Sequence, residues 1–145
     1  MRVLAAALLL ASPAVAQEVR ECDWQSDAQN LMEPWEENTR TFANGAIRVA
    51  AIDTVEPALG WAYLLILSPP YDELGLRQCR IVAFNDYMGF AGIDFSTLHA
   101  VYDQGEGLRL TLDVQWSPDG NTLETESLSM IINQQTGAIG AGFIP

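Results

Sequence analysis

A chain of 145 residues, 49 % of them hydrophobic, is too apolar to remain disordered and has the length of a single domain around a single core. Its 19 acidic residues outnumber seven arginines, with no lysine, for a net charge of −12 at pH 7. That excess argues against nucleic acid and anionic membranes, both of which are bound through Lys and Arg; it would attract a cationic protein or peptide in a salt-sensitive way, or serve solubility alone.

The first residues have the order of a secretory signal. Arg2 precedes an apolar run over residues 3–11, Ser12 and Pro13 break it, and Ala14-Val15-Ala16 supplies the small-x-small cleavage pattern. The run is far shorter than the roughly 20 residues a membrane-spanning helix needs. The expectation is a leader over residues 1–16, cleaved after Ala16, and one β-rich domain over residues 17–145. The mature protein is then periplasmic or secreted, with no membrane insertion after cleavage. Cys22 and Cys79 are the only cysteines. In an exported chain such a pair reads as a structural disulfide, and the Cys-x-x-Cys spacing of a redox pair is missing.

Residues 18–43 hold the only helix candidate. Ser26 or Asp27 caps a turn, Pro34 prevents a long helix, and one or two short helical turns are expected, with Leu31, Trp35 and Phe42 as core-facing candidates. Asn44-Gly45 marks a turn. From there the punctuation is that of a β protein. Strands are expected over residues 46–54, over 61–68, which is apolar on both faces and therefore central, and over 79–85. Pro69-Pro70 is expected to end the second of these. Residues 90–95 and 98–103 form two further candidates. Residues 108–116 alternate most clearly, with Leu108, Leu110, Leu112, Val114 and Trp116 on one face and Arg109, Thr111, Asp113 and Gln115 on the other. Ser117-Pro118-Asp119-Gly120 signals a turn. Residues 126–134 repeat the alternation and should pair with a last strand over 138–144 through a turn at Gly137. The fold class is therefore mostly β: an antiparallel barrel or sandwich of seven or eight short strands with a short N-terminal helical segment.

No motif in the chain commands a reaction. His99 is the single histidine; Asp94 or Asp103 could serve a serine triad with it, but Gly-x-Ser-x-Gly is missing. Paired carboxylates at strand ends, Asp53 with Glu56 or Asp94 with Asp103, are the remaining route to hydrolysis. Asp119-Gly120-Asn121 starts like a calcium loop, but Leu123 stands at the next ligand position. The glycines form no phosphate-binding pattern. Neither catalytic residues, a metal nor a cofactor is assigned. The favoured contact surface is Tyr71, Asp72, Asp86 and Tyr87, where aromatic and acidic side chains fall in expected loops. The expected function is an exported, non-catalytic binding or accessory protein of the bacterial cell envelope. A small secreted hydrolase using paired carboxylates is the alternative.

Overall fold

The computed structural model describes residues 16–145, so the expected leader lies outside the described residues but for Ala16. Among the described residues nine strands form two antiparallel sheets that pack as a sandwich and do not close into a barrel. The first sheet contains β1 (Glu18–Glu21), β2 (Thr39–Phe42), β3 (Ile47–Asp53), β4 (Ala62–Tyr71) and β5 (Arg77–Ala83), in spatial order β1-β5-β4-β3-β2. The second contains β6 (Gly92–Asp103), β7 (Gly107–Trp116), β8 (Glu124–Ile132) and β9 (Ile139–Phe143), in chain order.

The alternation in β7 becomes burial directly. Leu108, Leu110, Leu112 and Val114 are buried and pair across to Ile132, Met130, Leu128 and Glu126 of β8. These side chains meet Ile47, Val49, Ala51, Leu64, Ile66 and Val82 of the first sheet in the main core. β4, apolar on both faces, is the central strand of five. Its Leu64 and Ile66 face the main core, while Tyr63 and Leu65 face a second, smaller core with Ile52 and Ile81. Leu31 and the Cys22–Cys79 disulfide cover that second core. The N-terminal segment is thus a third layer, made of 3₁₀ turns at Trp24–Ser26 and Ala28–Asn30 and a one-turn helix α1 at Trp35–Asn38. Pro34 stands immediately before α1, where its missing N–H costs nothing.

The structure departs from the expected elements in four places. β1 and β2 are four-residue edge strands inside the segment read as helical. They owe their conformation to the neighbours they pair with, β5 and β3, and not to any local pattern. The two strands expected over 90–103 are one strand, β6, with a register shift between Asp94 and His99 that breaks its alternation. β4 continues through Pro69-Pro70 to Tyr71 after a shift in its pairing with β5, so the prolines mark an irregularity and not the end. Trp35, expected to face the core, is 53 % exposed.

Both open margins of the sandwich are bridged. At one, Ala16 pairs with Gly142 and the Gln17 N–H donates to the Ala141 carbonyl before the chain crosses to pair with β5. At the other, the Arg40 guanidinium lies over the Phe95 ring, 5.6 Å from its centre. At one end of the sandwich the β8–β9 turn meets the first sheet. Gly137 has φ +79° and a Cβ there would sit 2.5 Å from Pro70, while its carbonyl accepts from Gln78 Nε2 at 2.7 Å.

Candidate functional site

Most aspartates at strand ends are engaged by their own turns. Asp53 Oδ1 accepts from the Val55 N–H, Asp72 Oδ1 from those of Leu74 and Leu76, and Asp103 Oδ1 from those of Gly105 and Glu106. Glu56 Oε2 accepts from the Ala58 N–H in the same way. Such contacts satisfy loop amides that no strand partner reaches. Asp53 and Glu56 each serve the β3–β4 loop, and Asp94 and Asp103 lie near opposite ends of β6. His99 pairs across to Thr111, and the Ser96 hydroxyl donates to Asp94 Oδ1 at 2.5 Å, so the described hydrogen bonds form no Ser-His-Asp chain.

The register of β6 on β7 creates a different pair. Asp94 stands directly opposite Asp113 on the outer face of the second sheet, as Gly92 stands opposite Gln115. Asp94 Oδ1 takes hydrogen bonds from the Ser96 N–H and hydroxyl, and Asp113 Oδ1 takes one from the Ser127 hydroxyl at 2.7 Å. Among the described residues no arginine forms an ion pair with either, the two ion pairs being Arg80–Glu21 and Arg109–Glu106. Both aspartates line a cleft of about 400 Å³ walled by the half-buried Trp61 and by Gly92, Gln115 and Thr125. Gly89 makes this wall possible. Its backbone closes on Ala62 and Gly60 so tightly that a Cβ would collide with the Ala62 carbonyl, and the Phe90–Ala62 pairing then sets Trp61 beside the start of β6. The cleft combines two carboxylates, an amide and an indole, a set suited to a cation.

The four contact residues read from the sequence divide between two places. Tyr71 and Asp72 begin the β4–β5 turn and Asp86 and Tyr87 follow β5, so the pairs lie at opposite ends of that strand, on the order of 20 Å apart. Tyr71 is 53 % exposed and shares a shallow depression with Arg77 and Arg80. Tyr87 is 88 % exposed, and the Asp86 carbonyl accepts from Arg20 Nη1. The loop carrying Asp86 and Tyr87 leads in the chain to Ala91 and Gly92 of the acidic cleft, and none of the four residues lines that cleft.

A second cleft, about 410 Å³, lies on the outer side of the first sheet, where Leu31 and Trp35 stand over Leu65 and Leu67, with Glu36 and Arg48 at its rim. It is the more apolar of the two and comes from α1 covering the sheet incompletely. The other tryptophan on the core side, Trp116, stacks on Phe84 at 5.2 Å and is a packing residue. Among the described residues, no group of three or more His, Cys, Asp or Glu is placed to hold a metal ion. Asp113 was legible as an outward-facing residue of β7. Its partner was not, because the opposition depends on the β6 bulge. No known family model, characterised protein or solved structure matches this chain.

Proposed function

We propose that the protein is exported by cleavage after Ala16 and acts in the periplasm or outside the cell as a non-catalytic binding or accessory module of the bacterial envelope, engaging a cationic protein or peptide at the Trp61–Asp94–Asp113 cleft. The observation that carries this reading is the opposition of Asp94 and Asp113 without an arginine partner among the described residues. Like charges directly across a strand pair destabilise it, and a bound cation removes that cost. Trp61 offers such a cation an aromatic face, and the net charge of −12 steers it in. The Cys22–Cys79 bridge supports an oxidising compartment.

The test is capture from envelope extract on the exported protein, at low and at moderate salt, beside an Asp94→Asn/Asp113→Asn variant. A cationic protein should be retained at low salt, released at moderate salt and lost with the variant. The variant should unfold at the same or a higher temperature, since it loses a repulsion. Retention that ignores both salt and the variant would reject the cleft as the binding surface. The same two carboxylates support a second reading, a small hydrolase in which they share acid–base work. Turnover of a glycoside substrate that either single Asn variant abolishes would favour it.

A further inference from the structure

Gln17 occupies the seam where the chain passes from the second sheet to the first. In the uncleaved chain it is 5 % exposed, its N–H donates to the Ala141 carbonyl at 3.1 Å, and the neighbouring Ala16 pairs with Gly142. Its side-chain Oε1 and Nε2 are both enclosed without a hydrogen-bond partner among the described residues. An amide enclosed in that way is a defect that folded proteins rarely keep.

Cleavage after Ala16, on which this inference rests, turns Gln17 into the amino terminus. A free α-amine would then bring a positive charge to a seam where its described hydrogen-bond partner is a neutral carbonyl. We infer that the newly exposed Gln17 is a modification site and is cyclised to pyroglutamate. The α-amine nitrogen attacks Cδ of its own side chain, the Cδ–Nε2 bond breaks, and Nε2 leaves as ammonia. One C–N bond forms as another is lost, and no oxidant or cofactor is consumed. The lactam is neutral and keeps one N–H for the Ala141 carbonyl. It also removes Nε2, one of the two unpartnered atoms. Ring closure takes place before β1 settles against β5 and β9, while the terminus is still accessible.

The chain has no lysine, so a free N-terminus is the only primary amine the mature protein could carry. The full precursor is produced in a secreting bacterial host, and the exported protein is denatured, weighed intact and treated with an amine-reactive reagent. The expected result is the mass of residues 17–145 less one ammonia, and less two hydrogens for the disulfide, with no label taken up. A Gln17→Ser variant should take up one label. A mass without the loss of ammonia, with one label, would overturn cyclisation and leave cleavage after Ala16 standing. A mass that corresponds to another starting residue would overturn both.

Discussion

Asp119 holds the β7–β8 loop through one oxygen: its Oδ1 accepts from the Asn121 N–H at 2.8 Å, the Thr122 N–H at 2.7 Å and the Thr122 hydroxyl at 2.9 Å. These bonds favour the ionised carboxyl and hold its pKa below the usual aspartate value, the Thr122 amide contributing most. Because the folded value lies below the unfolded one, the resulting stabilisation is complete above the ordinary aspartate value. It is lost as pH falls through the lowered folded value. In an NMR titration the Asn121 and Thr122 amide shifts should move together with a midpoint below the ordinary aspartate range, and Asp119→Asn should abolish that step. A midpoint at the ordinary value would mean the loop is held by its backbone alone. The turn itself was legible in Ser117-Pro118-Asp119-Gly120, since proline and aspartate bring the dihedral and the acceptor a turn needs. The partner of Asp113 was not legible, because no local rule says which residue lies across a strand.

At the scale of elements, the disulfide is the tie between the third layer and the sandwich. Cys22 and Cys79 are separated by 57 positions and their Cα atoms by 5.4 Å. A loop of that length, once closed, is worth about 4 kcal/mol of lost freedom in the unfolded chain. Cys22→Ser/Cys79→Ser should therefore lower stability in denaturant unfolding by up to roughly that amount. An unchanged midpoint would show that the packing of Leu31 and Met32 against β3 is enough to hold the layer, with the Met32 N–H donating to the Ala51 carbonyl. The cysteine pair, the central β4 and the alternating β7 and β8 could all be read from the chain, because each has a signal inside one segment. β1 and β2 could not. Four residues carry too short a pattern, and both strands exist because an uncovered sheet edge pairs with them.

For the whole molecule the dominant fact is unbalanced charge: 19 acids against seven arginines, and two ion pairs among the described residues. Mutual repulsion of this kind favours the expanded chain, and salt screens it over about 10 Å at 0.1 M. Thermal unfolding should therefore move to higher temperature as sodium chloride rises from low to moderate concentration at neutral pH. The same change should weaken capture of a cationic partner. A midpoint that falls with salt would mean that local ion pairs outweigh the general repulsion.

Composition and local pattern alone determined the mostly β class, the disulfide partners, the buried faces of β4, β7 and β8 and the sign of the surface potential. Each of these follows from residue type, from a period of two, or from a count. Only the tertiary structure decided between barrel and sandwich, turned residues 90–103 into one bulged strand, and set Asp94 against Asp113 beside Trp61. Those outcomes depend on register, and register is chosen by contacts between segments far apart in the chain, where a shift of one residue exchanges the two faces of a strand.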